Sequence, residues 1–108
     1  MIPTYKLKKY KVFDNAWFFF KENHEKKVHD AMVKSIKKGI ECNLLSVISI
    51  TFILENDKKY SVRIIRDKWK ELLNEAGCFY LNYEEFENCA RVRDLLKQLR
   101  DQKINTTL

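Results

Sequence analysis

The stretch Leu44–Arg66, LLSVISITFILENDKKYSVRIIR, constrains the fold more than any other part of the chain. It holds two β-branched runs joined by a polar cluster. In Ser46–Leu54, Ile48, Ile50, Phe52 and Leu54 fall on one face and Val47, Ser49, Thr51 and Ile53 on the other. In Tyr60–Arg66, Tyr60, Val62 and Ile64 alternate with Ser61, Arg63 and Ile65. Period-2 alternation interrupted by turn formers is the pattern of a β-hairpin. Glu55-Asn56-Asp57-Lys58-Lys59 supplies the turn, because Asn and Asp tolerate left-handed geometry and bond their own backbone.

A chain of 108 residues has room for one core and one domain, here expected over residues 1–102 with a frayed polar tail at 103–108. Only two Gly and one Pro leave little sequence for loops, so most residues belong in regular elements. Upstream, Tyr5–Phe13 alternates loosely around lysines, Asp14-Asn15 follows, and Ala16–Lys21 carries Trp17, Phe18, Phe19 and Phe20. These runs read as a first hairpin, since aromatics lose rotamer freedom in helices. The competing reading starts a helix at Asp14. Asn23 is placed to cap a helix over His24–Ile40. Val28, Ala31, Met32, Ser35, Ile36 and Gly39 share one arc of that helix, opposite Lys26, Lys27, Lys34, Lys37 and Lys38. After the central hairpin, Asp67 opens a helix through Ala76 that carries Trp69, Leu72, Leu73 and Ala76 inward, with Gly77 as its stop. Asn82 and Glu85 form a capping box for a last helix to about Gln102, with Phe86, Cys89, Val92, Leu96 and Leu99 inward. The expected fold is therefore α+β. Two β-hairpins form an antiparallel sheet, and one central helix and a C-terminal helical pair pack on it in the order ββαββαα.

Catalytic equipment is absent from the local patterns. His24 and His29 are five residues apart, about 140° around a helix, which excludes an i, i+4 metal pair. Gly39 and Gly77 are isolated, so no glycine-rich phosphate loop exists. We expect no enzyme, no cofactor, no metal and no small-molecule substrate. Cys42, Cys78 and Cys89 show no C-x-x-C spacing and read as reduced, mostly buried thiols of a cytoplasmic protein. No secretory signal is recognisable, and the longest apolar run is far short of the roughly 20 residues that span a bilayer, so no membrane partner is expected.

Charge is uneven. Residues 1–60 hold 12 Lys against 7 acids, whereas residues 61–108 hold 9 basic against 8 acidic residues. Lys6, Lys8, Lys9 and Lys11 together with the α-helical lysines 26, 27, 34, 37 and 38 are thus a candidate basic surface. Lysine without arginine suits phosphate contact rather than base reading, so nucleic acid is one class of partner. The aromatic run Trp17, Phe18, Phe19 and Phe20 is a candidate stacking or dimer interface. On strand alternation, Trp17 and Phe19 would take one face and Phe18 and Phe20 the other.

Phe86-Glu87-Asn88-Cys89-Ala90-Arg91-Val92-Arg93-Asp94-Leu95-Leu96-Lys97-Gln98-Leu99 resembles the second half of the UVR motif, a helical hairpin of bacterial excision-repair subunits and some protease regulators. Glu87, Ala90, Arg93, Asp94 and Leu99 fit its pattern, Cys89 replaces the usual small residue, and the first helix is matched poorly. The resemblance implies protein–protein docking through a helical hairpin, with Glu87, Arg91, Arg93 and Asp94 as docking candidates. A non-enzymatic interaction module, as adaptor, inhibitor or homodimer, is the expected function. A nucleic-acid-binding domain is the alternative.

Overall fold

The computed structural model describes residues 2–105. Its elements are β1 (Thr4–Lys6), α1 (Phe13–Asn23), α2 (Glu25–Glu41), β2 (Ser46–Ile53), β3 (Lys59–Ile65), a 3-10 turn (Arg66–Lys68), α3 (Trp69–Asn82) and α4 (Phe86–Asn105). The class is α+β, but the order is βααββαα and the sheet is mixed. Its strands lie in the order β1-β2-β3.

The central hairpin forms as its alternation requires. β2 and β3 pair antiparallel from Ser46↔Ile65 to Ile53↔Lys59. Asp57 takes the left-handed conformation in the turn, at φ 59°. One face reading fails within β2. A bulge between Ile48 and Ile50 inserts Ser49, so Val47 and Ser49 are buried before it and Ile50, Phe52 and Leu54 after it. An extra residue in one strand reverses the phase of everything beyond it. Ser49 meets burial by donating its hydroxyl to the Val62 carbonyl at 3.3 Å.

The first hairpin does not exist. β1 is three residues long and runs parallel to β2, with Tyr5 beside Phe52, while the aromatic run is helical. Phe13, Ala16, Trp17 and Phe20 repeat at i, i+3, i+4, i+7 and bring three rings to Phe52, at centroid distances of 6.2, 5.9 and 5.1 Å. Propensity separates aromatic from good helix formers by less than about 0.7 kcal/mol per residue. Burying one such ring contributes about 2 kcal/mol, so packing on Phe52 decides the element.

α2 buries the expected arc, Val28, Ala31, Met32, Ile36 and Gly39, and adds Ile40, while Ser35 is half-buried. Asn23 does not cap it. Asn23 closes α1, donating its side chain to the Phe19 carbonyl at 2.9 Å, and the chain bends at His24 between the two helices. α3 does not stop at Gly77 but continues to Asn82: Gly77 does not take the left-handed φ of a helix stop, and it faces Val92 of α4. α4 buries Val92 as expected and also Leu95, with Cys89, Leu96 and Leu99 half-buried against the core. Its backbone runs past Gln102 to Asn105, and residues 106–108 of the expected tail lie outside the described residues. Trp69, Leu73, Ala76 and Tyr80 of α3 join Ile36, Ile50 and Phe52 in one core on a single face of the sheet. The opposite face, with Thr4, Lys6, Lys59, Ser61, Arg63 and Ile65, is exposed. Two of the thiols expected inside are outside: Cys42 and Cys78 are exposed and Cys89 is half-buried.

Candidate interaction surfaces

The candidate lysines do not all face the same way or the same neighbours. Strand alternation sends Lys6 to the open face of the sheet, while Tyr5 points to the helix side, where Lys27 Nζ lies 5.7 Å from its ring. Lys8 pairs with Asp57 at 2.9 Å, and its hydrogen bond holds that carboxyl below the usual range. Lys9 sits over the Phe19 ring at 4.9 Å. Lys26 reaches Glu85 at 2.8 Å and Asp30 at 3.4 Å, and Lys37 reaches Glu41 at 3.9 Å. Lys11, Lys34 and Lys38 are exposed, with no carboxylate in ion-pair range among the described residues.

Nor do the aromatics form a platform. Phe20 is buried, Trp17 packs on Phe52, and Phe19 lies 5.5 Å from Tyr10. Only Phe18 faces outward, at 63% exposure. One helical turn points these four residues in four directions, which strand alternation did not allow for.

The C-terminal helical pair supplies a different surface at its turn. Glu84 adopts φ 57°, its N–H donates to Leu81 O at 3.1 Å, and the Glu85 N–H donates to Tyr80 O at 2.8 Å. This chain reversal replaces the expected Asn82 cap, since Asn82 remains the last residue of α3. The turn leaves Leu81 59%, Tyr83 67% and Phe86 64% exposed at one end of the hairpin. Phe86 was expected inward. The reversal ends only at Glu85, so α4 begins with Phe86 outside and turns its first buried residue inward at Val92.

A polar network holds this end in place. The Tyr80 hydroxyl donates to Asp30 Oδ1 at 2.6 Å, joining α3 to α2. Lys26 spans Asp30 and Glu85, and the Asn88 side chain donates to Glu85 Oε1 at 2.9 Å. Burial foremost, then the Asp30 carboxylate, hold the Tyr80 phenol far above its ordinary value. The Glu85 hydrogen bond raises the Lys26 ammonium. Leu81 and Tyr83 were missed because the chain from Cys78 to Leu81 reads equally as helix or connector. The adjoining Tyr-Glu-Glu gave no sign of which residues the reversal would expose.

The docking candidates Glu87, Arg91, Arg93 and Asp94 are all exposed on α4, and Arg93 Nε lies 4.0 Å from Asp94 Oδ1. Between α2 and α3 lies an open groove in which His29 stacks on Phe79 at 4.7 Å and its Nε2 lies 3.7 Å from Glu25. No group of three metal-ligating side chains occurs among the described residues, and no helix there is long and apolar enough to cross a membrane. The molecule is a small α+β domain with helices on one face of a mixed sheet. No family model matches the chain, and neither a curated protein nor a solved structure does so.

Proposed function

We propose that this chain is a non-catalytic protein-interaction module that docks through the tip of its α3–α4 hairpin. The observation that carries this reading is the exposure of Leu81, Tyr83 and Phe86 about the α3–α4 reversal. Large apolar side chains left exposed on a surface serve as anchors of interfaces, and Tyr and Phe are enriched there. The turn is pre-organised by the Tyr80–Asp30 and Lys26–Glu85 contacts, so ordering it on binding costs little. Docking through a helical hairpin is also what the UVR-like pattern of α4 implies. Exposed Cys42 and Cys78 fit a reducing, cytoplasmic setting.

Replacing Leu81 and Phe86 together with serine tests it. Both are mostly exposed, so the double variant should keep its melting temperature. Affinity for a partner, or for a second copy, should fall at least about tenfold if the pair are anchors. A wild-type chain that stays monomeric by light scattering and captures no protein that the double variant fails to capture sinks the proposal.

The nucleic-acid reading draws on fewer cations than the sequence offers, since Lys8, Lys26 and Lys37 face carboxylates and Lys9 and Lys27 lie over rings. Lys34 and Lys38, one turn apart on α2, are what favours it. Binding through them would weaken steeply as salt is raised.

A further inference from the structure

β3 is an edge strand. No described element pairs with its far side, and the ladder shows which backbone groups remain open there. Leu54 N–H bonds Lys58 O at 3.0 Å at one end of the β2–β3 pair, and Arg66 N–H bonds Leu45 O at 2.8 Å at the other. Antiparallel pairs alternate between hydrogen-bonded and non-bonded. Counting inward from both ends, Tyr60, Val62 and Ile64 turn their N–H and C=O groups toward β2. Lys59, Ser61, Arg63 and Ile65 turn theirs to the free edge, and the bulge at Ser49 reconciles the two counts.

The two sides of this edge differ in chemistry. On the helix side an open trough of about 400 Å³ lies against it, lined by Val62, Leu72, Lys68 and Glu71 and, from the strand itself, also by Arg63 and Ile65. On the open face β3 contributes Lys59 and Arg63, β1 contributes Lys6, and none of the strand residues on that face is acidic. A strand laid along the edge would set alternate side chains over the trough and the others beside Lys59 and Arg63.

We propose that the free edge of β3 accepts an extended segment of a partner protein, apolar at alternate positions with Asp or Glu between them. Backbone hydrogen bonds to Lys59, Ser61, Arg63 and Ile65 hold the segment, its apolar side chains cover Val62 and Leu72, and its carboxylates meet Lys59 and Arg63. The same charges disfavour a second copy. A two-fold pairing centred on Val62 matches the free backbone groups, placing Ser61 opposite Arg63 of the copy. It also gathers both Arg63 and both Lys59 side chains on one face with no acid among them. This surface shares no residue with the hairpin tip, so either site can fail alone.

The probe is a short fluorescent peptide alternating valine with glutamate, followed by anisotropy on the full chain, with a valine–lysine peptide beside it. The valine–glutamate peptide should bind saturably below about 1 mM and the valine–lysine peptide at least about tenfold more weakly. Amide exchange at Ser61 and Arg63 should slow in the complex. Ser61→Pro removes an N–H that faces the free edge and leaves those facing β2 intact, so it should lose the peptide while keeping its fold. Should that variant fold poorly, the exposed pair Lys59→Glu and Arg63→Glu serves instead, and it should reverse the preference between the two peptides. Three results overturn the proposal: no saturable binding, binding indifferent to these substitutions, or a dimer of the chain that Ser61→Pro dissociates.

Discussion

Gly39 and Gly77 both lie inside helices, where glycine is about 1 kcal/mol worse than alanine, yet they answer to different neighbours. A Cβ at Gly39 would stand 2.5 Å from Trp69 Cη2 and 2.8 Å from Val47 Cγ1. The Trp69 ring has no exposed surface, and its Nε1 donates to Ile64 O at 3.2 Å, so it has nowhere to go. A Cβ at Gly77 would meet only Val92 Cγ1, at 3.3 Å, a contact relieved by a few tenths of an ångström. Gly39→Ala should therefore cost about 1–3 kcal/mol net, the usual range for overpacking. Gly77→Ala should stay within about 1 kcal/mol of the parent, since the gain in helix propensity offsets the crowding. Urea midpoints at unchanged m-value measure both, and equal midpoints would show that Trp69 yields. The place of Gly39 on the inward arc of α2 is legible from spacing alone. The need for glycine there is not, because Trp69 lies thirty positions along the chain.

At the scale of elements, α2 and α3 are joined by the Tyr80–Asp30 hydrogen bond, and this seam has a pH signature. The phenol is held above its ordinary value of 10.0, so the folded state keeps a proton that the unfolded chain releases. Its contribution is complete below that ordinary value and drains away as pH climbs toward the folded one. Lys26, raised above its ordinary 10.5 by Glu85, acts in the same direction. Tyr80→Phe should lower stability by about 1.5–3 kcal/mol at neutral pH, as for a hydrogen bond to a carboxylate. It should also make the decline on the alkaline side shallower than in the parent. Urea unfolding between neutral and strongly alkaline pH checks both, and parallel decline in the two proteins would count against the seam. The two elements that spacing misassigned, β1 and α1, fail for separate reasons. Three residues of strand are too few to show a period. The 13, 16, 17, 20 spacing in α1 is helical, whereas the strand reading rests on aromatic propensity, which differs too little between helix and strand to decide.

Across the whole molecule a single apolar cluster takes side chains from every helix and strand. Trp69 lies within it and Trp17 packs against it from the other end of the chain, so the two tryptophans report on one core. Heating or denaturant should give coincident transitions by tryptophan fluorescence and far-ultraviolet circular dichroism. A separate early loss of helix signal would mean that α4 or α1 opens on its own.

Local patterning is enough for the β2–β3 hairpin, the buried arc of α2, and a final helix with Val92 inward. Those features rest on periodicity and turn chemistry within a few residues of each other. Long-range packing decided that β1 runs parallel to β2, that the aromatic run winds as a helix onto Phe52, and which lysines stay unpaired. It also decided that Leu81, Tyr83 and Phe86 stand outside. The reason is one of magnitude: burying a ring against a distant partner contributes about 2 kcal/mol. Local preferences, at a few tenths per residue, give way to it.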